Sequence, residues 1–161
     1  MTNENLQPFK YNGARSLVLL HEKHLKSFLL IWSEAYDKNI ALPKTEDPDY
    51  ESLITLLRHV LRSAGNYMNW ICDKLELPSP KINAVPNLDI IKNEADNYLN
   101  HIWERWRLPL CEVEEEKFIS QTFTSNWGIE YCIDAMLEHA VMHPIRHEFQ
   151  LRNLIKENSE T

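Results

Sequence analysis

The sequence predicts an all-α fold, an up-down four-helix bundle with a longer crossover before the last helix. Three observations carry that expectation. The 161 residues include only three glycines, β-branched alternation of the strand type is absent over any useful length, and long stretches are rich in Leu, Glu, Lys, Asn and Ala. Seven of the eight prolines, Pro8, Pro43, Pro48, Pro78, Pro80, Pro86 and Pro109, fall in what read as connections. A proline ring removes an amide donor and clashes with the preceding turn, so each marks a boundary between helical segments.

The first segment, roughly 13–39, carries Val18, His21, Leu25, Phe28, Trp32 and Ala35 at spacings of three and four, the seam of a packed helix. The second, roughly 49–75, opens on Asp49 as its expected N-cap and aligns Leu53, Leu57, Val60, Ala64, Tyr67, Ile71 and Leu75. The third, roughly 88–106, places Leu88, Ile91, Ala95, Tyr98, Ile102 and Trp106 likewise. Residues 111–124, with Glu112, Glu114, Glu115 and Glu116 as solvated surface, form the crossover and hold at most one short helix. The last segment, roughly 126–156, aligns Ile129, Ile133, Met136, Ala140, His143, His147, Leu151 and Leu154. No repeat of fixed period divides the chain, so one domain over 1–161 is expected.

Composition narrows the function classes. A formal charge of −7 leaves no basic excess for phosphate backbones or anionic membranes, so neither nucleic acid nor membrane is an expected partner. Cys72, Cys111 and Cys132 are odd in number and lack CxxC spacing, which reads as free thiols in a reducing compartment. The opening MTNENLQPFK lacks the charged and apolar regions of a secretory signal, and the apolar clusters near 17–20 and 28–32 are interrupted by charge. A cytoplasmic protein is expected. With 43% hydrophobic residues, a chain of this length buries its core without staples, so a metal is not required for folding.

The chemistry centres on histidines that occupy core positions, because an imidazole on an apolar stripe must hydrogen-bond, meet a charge or bind a metal. His143 and His147 are four residues apart, which on a helix stacks both rings on one face about 5–6 Å apart at Cβ. That spacing lets two imidazoles share a cation, yet an isolated HxxxH recurs by chance in long helices. His59, in the second segment and flanked by Leu56, Leu57 and Val60, is the natural third ligand. Taken singly it equally fits an interhelical histidine bonded to a carbonyl or carboxylate. Three imidazoles from two helices would leave positions for water or substrate, as catalytic sites do.

A rival set of His59, His139 and His143 is disfavoured because His139 lies beside the seam, where it hydrogen-bonds near the ligands or faces solvent. His21, on the first helix, reads as a core histidine or as a group facing the metal pocket, and His101 as a surface or partner contact. Pro144 removes an amide within the last helix and frees the Ala140 carbonyl, predicting a kink that either re-aims ligands or is tolerated packing. Of the five tryptophans and six tyrosines, most are expected in the core or between subunits of a homodimer, with Tyr67 and Trp70 the first to examine as pocket walls. GxSxG, P-loop and HExxH motifs are absent, and Glu138 and Glu148 flank the histidines as possible acids or bases.

The segments "LLRHVL" and "LEHAVMHPIRHEFQL" resemble the DinB/YfiT-like metalloenzymes of the DinB superfamily, and the likeness runs over most of the chain. The resemblance implies a four-helix bundle with one ligand in the second helix and an HxxxH pair in the last, which fall on His59, His143 and His147. The family usually continues with Arg-Gly-Gln, whereas here Glu148, Phe149 and Gln150 follow, so only Gln150 matches and Glu148 replaces a positive charge. What the resemblance further implies is an enzyme, a transferase or hydrolase acting on a small molecule. Its cofactor would be a divalent Zn, Ni, Fe or Mn ion, with a low-molecular-weight thiol such as bacillithiol or mycothiol as cosubstrate. A metal-held thiolate attacking an electrophile is the leading mechanism. The competing expectation is a non-catalytic, stress-associated metal-binding bundle that works through dimer or partner contacts.

Overall fold

In the computed structural model, which describes residues 6–159, four long helices carry most of the chain. Residues 1–5, which begin the stretch read for a signal, lie outside the described residues. The long helices are α1 (Asn12–Asp37), α2 (Leu53–Lys74), α3 (Ile91–Trp106) and α5 (Ile133–Ser159), with a short α4 (Glu116–Ile119) in the crossover. Helix α5 lies chiefly along α1 and also along α2, while α3 packs on α2 and α1. The protein is therefore mostly helical, as expected. None of the described helices is long and apolar enough to cross a membrane.

The predicted seams are the buried faces. Val18, Leu25, Phe28 and Trp32 of α1, Leu57, Val60, Ala64 and Ile71 of α2, and Met136, Ala140 and Leu151 of α5 join one apolar cluster. Two indoles tie helices together: Trp32 Nε1 donates to the Leu53 carbonyl at 2.6 Å, and Trp106 Nε1 to that of Ala64 at 3.0 Å. Gly65 stands where α2 meets α3, since a Cβ there would lie 3.1 Å from Ile82. Prolines 8, 43, 78, 80, 86 and 109 lie in connections, and Pro48 opens a 3-10 turn, Pro48–Tyr50. The three cysteines are free thiols.

Several boundaries differ from expectation. Helix α2 is capped by Ser52, whose hydroxyl accepts from the Thr55 amide at 3.1 Å while Thr55 Oγ1 accepts from the Ser52 amide at 2.9 Å. Asp49, expected as the cap, sits in the preceding 3-10 turn. Leu88 is exposed because residues 88–90 form a turn before α3. Ile129 is likewise exposed, since the last helix starts only at Ile133.

The residues before that start make a small antiparallel hairpin, β1 (Phe123–Thr124) with β2 (Glu130–Tyr131), which the sequence pattern did not signal. Gly128, at φ +82°, supplies the left-handed residue of its turn. Ser125 fastens the turn, its hydroxyl accepting from the Ile129 amide at 3.1 Å and its own amide donating to the Ile129 carbonyl at 2.8 Å. Pro144 is buried inside α5, which runs through it without interruption.

Candidate metal centre

Helix α2 carries His59 on the edge of its buried stripe, and α5 carries His143 and His147 one turn apart on its core face. Packing α5 against α2 brings the three together. His59 Nε2 and His143 Nε2 are 3.0 Å apart, and one ring nitrogen from each of the three histidines lies within 4.8 Å of the others. His143 and His147 are 5% and 4% exposed, so the cluster is shielded on the core side and reached past the half-buried His59.

Two of the three rings have an acceptor at the far nitrogen. Asp49 Oδ2 is 2.9 Å from His59 Nδ1, and Gln150 Oε1 is 3.0 Å from His147 Nδ1. A carboxylate or amide oxygen can only accept, which assigns a proton to Nδ1 of each of those two rings and leaves Nε2 as the nitrogen that a metal would use. Such outer contacts are what orient imidazoles that bind metals. Burial also pushes the His143 pKa down to about 2, helped by the charges of His147, His59, Arg146 and His139. Burial likewise takes that of His147 down to about 4 against the bond from Gln150, which raises it. Both rings are therefore neutral, the form that ligates.

The donor set fits a divalent ion. Two nitrogens each about 2.0–2.1 Å from one ion lie about 3 Å apart at ordinary ligand angles. The His59–His143 pair has that spacing, and the wider limit of the set means an ion would draw the rings slightly inward. Neutral imidazoles suit Zn, Ni or Fe and accept Mn less readily, so the set does not select one metal. Among the described residues no Asp, Glu or Cys joins the three histidines in a ligand cluster.

No family model, curated protein or solved structure matches the chain.

Beside the cluster, lined by His59 and His143, lies a cavity of about 480 Å³. Tyr67 and Trp70 line it, and Tyr67 sets its ring edge-on to His143 at 5.7 Å. His139 lines the same cavity but is not part of the ligand cluster, so the rival triad does not form. It stacks on Trp127, 5.3 Å between centroids at 28°, and the burial and the Arg146 charge lower its pKa.

Two expected residues lie elsewhere. His21 is not on the cavity wall: it stacks on Trp106 at 3.7 Å with its Nε2 buried and unpartnered, because α1 turns that face into the core beside α3. Glu148 bonds Arg152 Nη2 at 2.7 Å one turn along α5, so it places no free carboxylate beside the ligands. His101 accepts from the Asn83 amide at 2.9 Å, a contact within the chain.

Three contributors carry no periodic signal in the sequence. Asp49 holds both His59 and Arg62, whose Nη2 is 2.6 Å from the same Oδ2. Tyr50 brings its hydroxyl to 3.5 Å from His59 Nε2 and separates this cavity from a second, about 360 Å³, lined largely by Leu42, Pro43, Leu56 and Leu154. Trp127 comes from the hairpin between Phe123 and Tyr131, not from the last helix that its sequence position predicts. The pair Asp49-Tyr50 after Pro48, ten residues before His59, was the available clue, but a loop-to-helix contact has no fixed spacing.

Proposed function

We propose that this chain is a metal-dependent enzyme, a DinB/YfiT-like four-helix bundle that transfers or hydrolyses a small molecule at a centre of His59, His143 and His147. The observation that carries the reading is the convergence of three imidazoles, two of them oriented from behind by Asp49 and Gln150, beside a cavity that His59 and His143 line and that has room for a substrate. A purely structural metal would be expected to have four protein ligands in a closed sphere. The packing of α1, α2, α3 and α5, with α4 and the hairpin in the crossover, is compatible with the bundle.

A divalent ion here supplies Lewis acidity, lowering the pKa of a water or thiol brought to it and polarising an oxygen. The chain's own part is to hold the rings. Asp49 and Gln150 fix the tautomers of His59 and His147, and Tyr67 packs against His143. Tyr50 crowds the His59 side and limits what can approach Nε2 there. A low-molecular-weight thiol as nucleophile is the transferase form of the proposal, and water the hydrolase form.

Elemental analysis of the purified protein tests the centre: about one Zn, Ni, Fe or Mn per chain in the wild type and near none in His143→Ala is expected. Metal content unchanged in that variant would reject the assignment. A screen of low-molecular-weight thiols against small electrophiles, run on the metal-loaded protein, then separates transferase from hydrolase.

A further inference from the structure

We infer that the cavity beside the histidine cluster, lined by His59 and His143, takes a small organic oxyanion, a carboxylate or phosphate carried on a flat, unsaturated body. The inference rests on the metal-centre reading for its floor, and on the cavity's own walls for the ligand class.

The charge on those walls runs opposite to the chain's. The protein carries −7 overall, yet the described cavity lining includes Arg62 and no aspartate or glutamate. Arg146, exposed and outside the lining itself, brings a second guanidinium to the same side of α5. On α5, positions 139, 143 and 146 fall at i, i+4 and i+7, so Arg146 shares a helix face with two residues that line the cavity, His139 and His143. It has no hydrogen bond or ion pair among the described residues. Its charge is felt at Tyr50, Tyr67 and His139, all of which line the cavity.

An exposed, unpaired guanidinium on the helix face that lines the cavity, together with a cation-binding floor, favours an anion, and a guanidinium presents its donors in the planar fork that matches carboxylate and phosphate oxygens. Arg62 differs, because Asp49 already holds it.

The shape of the ligand follows from the facing wall. Trp127, Tyr67 and His139 pack on one another, with Tyr67 and Trp127 edge-to-face at 6.4 Å and Trp127 half exposed at 48%. One indole face is covered by His139, and the half-exposed remainder of Trp127 gives the wall aromatic surface for a planar group, while Asn66 and Asn126 supply polar edges. An aromatic wall alone would also suit an organic cation, but the unpaired Arg146 charge opposes one, while the Arg62 charge is offset by Asp49. The volume, about 480 Å³, lies within the usual range of small-molecule sites.

The test is calorimetric titration of zinc-loaded and chelator-treated protein with benzoate, phenyl phosphate, benzyl alcohol and benzyltrimethylammonium, with zinc content measured on the same samples. Benzoate and phenyl phosphate should bind, benzyl alcohol at least tenfold more weakly, and the ammonium not at all. Arg146→Met, an exposed site that leaves the core intact, should weaken both anions tenfold or more with zinc content unchanged, and Arg146→Lys should recover part of the loss. Trp127→Ala should weaken benzoate more than acetate. Equal binding of benzoate and benzyl alcohol, preference for the ammonium, or no effect of Arg146→Met would overturn the inference even if zinc is held. Absence of zinc uptake would instead reject the metal reading, and the chelator-treated titrations would then decide the anion site alone.

Discussion

Two regions of the protein bury histidines, and they do so differently. His21, 1% exposed, stacks on Trp106 in the core near α3, with no acceptor for its Nε2. His143 and His147, comparably buried, converge with His59, and two rings of that cluster have oxygen acceptors behind them. Burial depresses the pKa in both regions, His21 to about 3 by desolvation with a contribution from His24. A lowered pKa therefore does not mark a site by itself. Convergence of lone pairs, with the opposite nitrogens oriented, is what separates a ligand set from a histidine used as an aromatic filler.

Substitutions sharpen that contrast. His143→Ala should lower metal affinity by at least about 100-fold, more than the effect of outer contacts, whereas His21→Leu should leave metal content unchanged. Competition with a chromogenic chelator reads both, and a metal loss in His21→Leu would erase the distinction. Asp49→Ala should reduce affinity about 10- to 100-fold by freeing the His59 ring, and Gln150→Leu should cost about tenfold through His147. An affinity unchanged in both variants would mean the rings need no support.

The smallest effect lies at His21. Replacing a buried, unpartnered imidazole by leucine should stabilise the fold by about 1 kcal/mol at neutral pH, measured by denaturant unfolding. The pH dependence has a defined sign. Because the folded pKa, about 3, lies below the unfolded value near 6.5, the unfolded chain binds the extra proton between them. The stability associated with neutral His21 is complete above about pH 6.5 and falls with acid, by at most about 1.4 kcal/mol per pH unit. His21→Leu should flatten that part of the profile, and an unchanged slope would show that other groups set it.

The sequence made the long helices and the shared face of His143 and His147 legible because a helix repeats every 3.6 residues and its buried stripe reports that period. The same rule set His139 aside from the ligands, and the structure has it lining the cavity instead. What escaped lies in connections. Asp49 looked like a helix cap, but Ser52 and Thr55 supply a reciprocal cap and free the aspartate to reach His59. Tyr50 and Trp127 reach the site from a 3-10 turn and a hairpin whose positions depend on tertiary contacts, not on a period. Ile129 misled for that reason: its spacing continued the stripe of α5 past the helix start.

The single oxygen of Asp49 that meets both His59 and Arg62 makes the two neighbours competitors for one negative charge. A cavity ligand that drew Arg62 toward itself would leave more of that charge to the imidazole and strengthen the ring as a donor to a cation. By thermodynamic linkage the benefit would be reciprocal, with the cation improving the ligand's affinity by the same factor. Such a device would favour occupancy of both sites together over occupancy of either alone.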